Sequence, residues 1–151
     1  MSSAPDVAIL VVDDNPDHLE LVVSALARRC DRARIATARD GIEALDFLLG
    51  RRAHAGRDIR KQPRLIVLDL SMPRLDGLQA LDAIRNEPQI AAIPVVVLSG
   101  SSDKAQLDRC YKAGANSVVR KTADFQELEQ KMAKVHDFWL TVNEADRHSR
   151  V

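Results

Sequence analysis

Short apolar runs alternate with longer amphipathic stretches along this chain. Five runs are rich in Val, Ile and Leu, and polar or turn-forming residues bound each of them. This pattern is typical of strands in a parallel sheet, because covering helices leave neither face of such a sheet to solvent. The predicted strands cover residues 7–12, 33–37, 65–70, 93–98 and 117–120.

Between these runs, apolar residues recur at three- and four-residue steps, which is typical of helices that bury one face. The predicted helices cover residues 16–29, 42–49, 77–87, 103–113 and 124–142. Together the elements predict an α/β fold with one five-stranded parallel sheet, right-handed crossovers and helices on both faces. We expect a single domain over residues 1–151, with a core at about 7–142 and loose ends.

The stretch from Arg51 to Arg64 has no clear periodicity. It is basic and polar, and we predict that it extends the preceding helix and then forms an exposed, partly mobile loop. Its sequence indicates no function.

Composition argues against several kinds of partner. The chain has 22 basic and 22 acidic residues, so its net charge gives no reason to expect binding to nucleic acid or to a membrane. No apolar run approaches the roughly 20 residues that a membrane span needs, and the N-terminus lacks the pattern of a signal peptide. Cys30 and Cys110 match no metal or redox spacing, which favours reduced thiols and a cytoplasmic location.

Polar residues stand where the predicted strands end. Asp13 and Asp14 follow the first strand, Asp69 ends the third, Ser99 follows the fourth and Lys121 follows the fifth. The carboxyl ends of parallel strands meet at one edge of a sheet, where open α/β folds bind their ligands. Taken singly, each residue is most simply a turn, cap or surface residue, but independent capping does not explain the whole set.

The chemistry of this set points to phosphoryl transfer. Three carboxylates at one edge repel one another unless a hard cation joins them, and Mg²⁺ prefers carboxylate oxygens with water or phosphate completing its shell. A carboxylate beside such an ion can attack a phosphoryl donor. Lys121 and Ser99 then supply an ammonium and a hydroxyl for the phosphoryl oxygens.

These motifs resemble the receiver domain of two-component response regulators, over residues 9 to about 140. The matching segments are VVDDN at 11–15, LDLSMPRLDG at 68–77, VLSG at 97–100 and Lys121. The resemblance implies the flavodoxin-like receiver fold with strand order 2-1-3-4-5. It also implies a phosphoacceptor protein without an output domain, which catalyses at most its own phosphorylation and dephosphorylation.

The resemblance assigns a role to each site residue. Asp69 is the expected phosphoacceptor and a Mg²⁺ ligand. Asp14 is expected to bind Mg²⁺ directly, Asp13 chiefly through water, and Ser71 through its backbone carbonyl. Ser99 and Lys121 are the expected switch hydroxyl and phosphoryl-stabilising lysine, whereas Gly77 shapes the loop.

A narrower resemblance, to the stand-alone regulators of bacterial phytochrome histidine kinases, rests on the basic stretch before Arg64 and on the ending VHDFWL at 135–140. It implies a sensor histidine kinase as partner. A histidine phosphotransfer protein and a homodimer through the fourth helix, fifth strand and last helix are further expected partners. Trp139 continues the apolar stripe of the last helix, while Phe138 could face a partner.

Two positions depart from the receiver pattern. Thr122 follows Lys121 where receivers commonly have a cis proline, and because a non-proline cis bond costs about 3 kcal/mol, we predict a trans bond and a displaced loop. Val118 stands where receivers commonly have the Tyr or Phe that reports the switch. The output therefore runs through Ser99 and the next helix, or through the last helix and dimerisation.

Two other classes of protein fit part of the pattern. A pseudo-receiver binds partners without phosphorylation, but the complete acidic, hydroxyl and lysine set argues against it. An aspartyl-nucleophile phosphatase needs a second acid two residues after the nucleophile, and here that residue is Ser71.

Overall fold

The sheet is parallel throughout and has five strands in the order β2-β1-β3-β4-β5, as predicted. The computed structural model describes residues 6–70, 76–101 and 103–145. The strands are β1 (Ile9–Val12), β2 (Ile35–Ala38), β3 (Leu65–Asp69), β4 (Val95–Ser99) and β5 (Ser117–Arg120). The helices are α1 (Pro16–Leu26), α2 (Gly41–Leu49), α3 (Gly77–Arg85), α4 (Lys104–Ala113) and α5 (Phe125–Asp137).

Two apolar layers form the core, one on each face of the sheet. Alternate residues of the central strands face opposite layers, so Val11 and Val67 pack with α1 and α5, whereas Leu10 and Ile66 pack with α2, α3 and α4. Because β1, β3 and β4 are buried along their whole length, they form the rigid base on which the strand ends are held.

Two strands begin later than predicted, and a local feature of the chain accounts for each difference. β4 begins at Val95, two residues later than predicted, because the preceding Pro94 has no N–H to donate. β2 begins at Ile35 because Arg32–Arg34 forms a 3₁₀ turn. The Asp31 side chain accepts a hydrogen bond from the Ala33 N–H at 3.0 Å, which caps that turn.

The predicted helical extension after residue 50 is wrong. α2 ends at Leu49 because Gly50 takes a left-handed conformation with φ 65°, the usual way to terminate a helix. A 3₁₀ turn follows at Arg52–His54. The guanidinium of Arg57 then lies 3.7 Å from the centre of the Phe47 ring.

The end of this stretch is also more buried than predicted. Gln62 is buried and donates hydrogen bonds to the carbonyls of Leu48 at 2.7 Å and Ile59 at 2.8 Å. Most of residues 51–61 are exposed, as predicted, but the contacts of Arg57 and Gln62 attach the stretch to α2.

The last helix changes its winding before it ends. After α5, residues Phe138–Val142 continue as one π-helical turn, so the predicted helix to residue 142 is helical but not α-helical throughout. Trp139 packs against the layer formed by α1 and α5, whereas Phe138 is 47% exposed. Trp139 is thus half-buried and Phe138 lies at the surface, with the two rings in edge-to-face contact at 4.9 Å between centroids.

No helix in the described ranges is long and apolar enough to cross a membrane.

Candidate functional site

The carboxyl ends of β1 and β3 bring three aspartates together. Asp13 and Asp14 follow β1, and Asp69 is the last residue of β3. One carboxylate oxygen from each lies within 4.8 Å of the others. Asp13 and Asp69 are buried, and Asp14 is exposed, so the cluster opens to solvent on the side of Asp14.

The ends of β4 and β5 complete the site. The Lys121 N–H donates to the Ser99 carbonyl at 2.7 Å, which holds these two residues side by side. The Lys121 ammonium contacts Oδ1 of Asp69. Among the described residues, this oxygen has no other hydrogen-bond partner. The structure therefore joins the predicted lysine to the predicted acceptor.

Ser99 lies at the site but its hydroxyl is engaged within its own loop. The backbone register pairs Asp69 with Leu98, so Ser99 is one residue further along the neighbouring strand. Its Oγ donates to the Ser101 carbonyl at 2.9 Å and accepts from the Ser101 N–H at 3.2 Å. To donate to a group on Asp69, the hydroxyl has to give up its hydrogen bond to the Ser101 carbonyl.

Gly77 closes the loop that follows Asp69. Its N–H donates to the Leu70 carbonyl at 3.0 Å, and a Cβ there would lie 2.7 Å from the Asp69 carbonyl oxygen. The two ends of the loop therefore touch each other, in agreement with the geometric role expected for Gly77. The predicted ligand Ser71 lies in this loop, outside the described residues.

The environment of Asp69 disfavours its charged form. Burial raises the pKa of the Asp69 carboxyl above its usual range, the Lys121 ammonium lowers it, and the negative charges of Asp13 and Asp14 raise it further. The net direction is upward. Without a cation, ionised Asp69 therefore costs the folded protein stability.

We expect the metal-free Asp69→Asn variant to gain stability relative to wild type as the pH rises. Because the folded-state pKa lies above the ordinary value of 3.8, protonated Asp69 favours folding at low pH. That contribution is lost as the pH rises through the folded-state pKa. Urea unfolding in EDTA, from about pH 4 to about pH 8, measures the difference in unfolding free energy.

The matched control is Asp108→Asn, at an exposed position of α4. Its unfolding free energy should stay within about 0.5 kcal/mol of wild type, because the carboxylate is exposed. A difference between Asp69→Asn and wild type that does not change with pH contradicts the electrostatic account of this site.

The acidic cluster fits a hard divalent cation. Carboxylate oxygens are the ligands that Mg²⁺ prefers, and it retains several waters, which the open side at Asp14 can accommodate. A cation also relieves the repulsion among three carboxylates held within 4.8 Å. Asp13, Asp14 and Asp69 are therefore suited to hold Mg²⁺.

The peptide bond between Lys121 and Thr122 is trans, as predicted. The other described peptide bonds are trans as well. The Thr122 hydroxyl accepts from the Asp124 N–H at 3.2 Å, which shapes the turn into α5.

Two contacts of the site region escaped the sequence reasoning. The imidazole of His18 contacts the Asp13 carboxylate. The Tyr111 hydroxyl of α4 accepts from the Val118 N–H at 3.2 Å, so an aromatic residue from α4 covers the strand that lacks its own. The sequence signalled the first contact only by placing His18 five residues after Asp13, and nothing in the sequence signalled the second.

Comparison with known proteins identifies the family. The family model described as response regulator receiver domain matches residues 9–133. The chain belongs to the response regulator receiver family. The chain is 38% identical to the probable methanogenesis regulatory protein FilR2 of Methanothrix harundinacea, over 89% of this chain and 84% of that protein.

Two further response regulators are similar to this receiver over most of its length. Response regulator Rcp1 of Synechocystis is 30% identical over 91% of this chain and 92% of its own length. The crystal structure of the phosphorylated cyanobacterial phytochrome response regulator RcpA superposes with a TM-score of 0.84 at 32% identity, covering 93% of this chain and 99% of that one. The chain is therefore similar to a phytochrome response regulator, which confirms the narrower resemblance.

Proposed function

We propose that this receiver accepts a phosphoryl group from a sensor histidine kinase onto Asp69 in a Mg²⁺-dependent reaction. One observation carries the proposal: Asp69 is buried at a strand end, within reach of two further carboxylates and in contact with the Lys121 ammonium. A buried acid so placed is poorly suited to a structural role, because burial and repulsion both disfavour its charge.

The proposed step moves one phosphoryl group. An oxygen of Asp69 forms a bond to phosphorus while the bond from phosphorus to the donor's imidazole nitrogen breaks. The leaving imidazole keeps the electron pair and takes a proton from solvent. Asp14, Asp69 and the Ser71 carbonyl would hold Mg²⁺, with Asp13 acting chiefly through water, and the bound ion would neutralise charge on the phosphoryl oxygens.

Lys121 and Ser99 convert this chemistry into a signal. A phosphoryl group on Asp69 adds negative charge beside the Lys121 ammonium, which moves with it. The Ser99 hydroxyl exchanges its bonds to Ser101 for a phosphoryl oxygen, and this displaces the chain that leads into α4. The surface of α4, β5 and α5 then changes its affinity for a partner.

The proposed pathway is light sensing in the cytoplasm, with a bacterial phytochrome histidine kinase as the donor. The likeness to Rcp1 and RcpA supports this assignment. We further propose that the receiver acts by passing the phosphoryl group to a histidine phosphotransfer protein or by forming a homodimer through α4, β5 and α5. The exposed Phe138 supports the dimer.

The proposal is tested by intact-mass spectrometry after incubation with acetyl phosphate, with Mg²⁺ or with EDTA. Gly100 supports access of such a small donor, because a Cβ added there would meet no heavy atom within 4 Å. We expect one phosphoryl adduct that requires Mg²⁺, is removed by hydroxylamine and maps to Asp69 by peptide analysis.

Other outcomes favour the rival classes. The pseudo-receiver is supported if neither acetyl phosphate nor a cognate kinase gives an adduct and if Asp69→Asn leaves partner binding unchanged. Steady release of phosphate from many equivalents of substrate supports the phosphatase.

A further inference from the structure

The first turn of α1 holds the Asp13 carboxylate from two sides. The Asn15 N–H donates to Oδ1 of Asp13 at 2.9 Å, and Nδ1 of His18 contacts Oδ2. Asp13 is 1% exposed, so water does not readily replace these partners. Each carboxylate oxygen has two lone pairs, and one on each oxygen remains available for a cation or for its bound water.

The backbone that carries His18 is itself anchored. The Asn15 side chain accepts from the backbone N–H groups of Asp17 and His18 at 2.9 and 3.1 Å, which anchors the start of α1. The His18 side chain is 18% exposed, and its Nε2 is buried without a hydrogen-bond partner among the described residues. An ionised carboxylate only accepts hydrogen bonds, so Nδ1 carries the hydrogen that it donates to Asp13.

We propose that His18 is a positioning residue for the divalent-cation site. Its Nδ1–H fixes the rotation of the Asp13 carboxylate, so that the remaining lone pairs face the cation instead of turning away from Asp14 and Asp69. Hydrogen-bond partners of metal ligands commonly set the affinity of a site in this way. The inference rests on the proposed function, because it concerns the cation that this function requires.

The test measures cation binding by the full, unphosphorylated chain and by two variants, one without the hydrogen-bond donor at residue 18 and one that keeps a donor there. His18→Phe keeps a ring and removes the donor, whereas His18→Asn places an amide N–H close to the position of Nδ1. Calorimetric titration with Mg²⁺, and Mn²⁺ titration followed by electron paramagnetic resonance, give the two dissociation constants. We expect His18→Phe to raise both by about 10- to 100-fold, and His18→Asn to stay within about threefold of wild type.

A second measurement separates positioning from a direct part in the reaction. With acetyl phosphate, His18→Phe should need more Mg²⁺ for half-maximal phosphorylation but reach nearly the wild-type rate at saturating Mg²⁺. His18→Leu repeats the test if the phenylalanine does not fit, and thermal unfolding checks that each variant folds.

Two results overturn the inference while leaving the proposed function intact. One is wild-type cation affinity in a folded His18→Phe or His18→Leu variant. The other is an equal loss in His18→Phe and His18→Asn, which indicates that the ring acts by packing and not by donating a hydrogen bond. If wild type itself binds no Mg²⁺ and takes no phosphoryl group, the proposed function fails and the inference fails with it.

Discussion

Asp69→Asn is expected to take up no phosphoryl group from acetyl phosphate at any Mg²⁺ concentration. The substitution keeps the size and shape of the side chain but replaces the carboxylate oxygen that attacks phosphorus with an amide, which is a poor nucleophile. It also removes one carboxylate from the cluster that suits Mg²⁺. Intact mass should show a phosphoryl adduct in wild type and none in the variant.

Asp108→Asn is again the matched control, because it removes an exposed carboxylate of α4 and should leave the adduct unchanged. If Asp69→Asn gives the adduct in wild-type yield, the assignment of Asp69 as the acceptor is wrong. Peptide analysis then shows whether Asp14, the exposed carboxylate of the cluster, receives the group instead. Loss of the adduct in both variants indicates a failed donor reaction and not a missing nucleophile.

The convergence of Asp13, Asp14 and Asp69 was predictable because it follows from topology. The carboxyl ends of parallel strands lie at one edge of the sheet, and a polar residue follows each apolar run. The order of apolar and polar residues, together with the direction of the strands, is therefore enough to predict that the three aspartates converge. The same reasoning brought Lys121 to this edge. It did not predict that its ammonium contacts Asp69, since that depends on side-chain rotamers.

The orientations of the side chains at the site could not be predicted from the sequence. Placing Ser99 at the end of β4 was possible from the apolar run, but its hydrogen bonds to the Ser101 backbone depend on the local path of the loop. The role of His18 depends on which way an imidazole turns at the start of a helix. Both are short-range choices among rotamers that hydrophobic periodicity does not encode.

The prediction of an exposed stretch from Arg51 to Arg64 is correct for most of its residues, and it misses the packed ones for another reason. The charge of this stretch suggested solvent exposure, but a long side chain can bury its stem and its planar head against a ring, as Arg57 does over Phe47. Gln62 similarly satisfies its amide on backbone carbonyls. Polar composition alone does not distinguish a packed segment from a loose one.

Gly77→Ala is expected to lower the free energy of unfolding by roughly 1–3 kcal/mol and to slow phosphorylation of Asp69. The added Cβ would lie 2.7 Å from the Asp69 carbonyl oxygen and 2.7 Å from the Cα and carbonyl oxygen of Leu70, well inside the ordinary carbon contact distance. These are backbone atoms and cannot turn aside, so the end of β3 or the start of α3 has to move. Urea unfolding measures the first effect and the acetyl phosphate reaction the second.

The sign of this effect is informative because helix propensity acts in the opposite direction. Gly77 is the first residue of α3, and replacing a helical glycine by alanine normally stabilises by up to about 1 kcal/mol. The control is Gly56→Ala, where a Cβ meets nothing within 4 Å and the change should stay within about 0.5 kcal/mol. If Gly77→Ala is as stable as wild type and phosphorylates at the same rate, contact between the two loop ends does not hold Asp69 in place. If stability and phosphorylation rate fall in Gly77→Ala and not in Gly56→Ala, the close approach of α3 to β3 positions the acceptor.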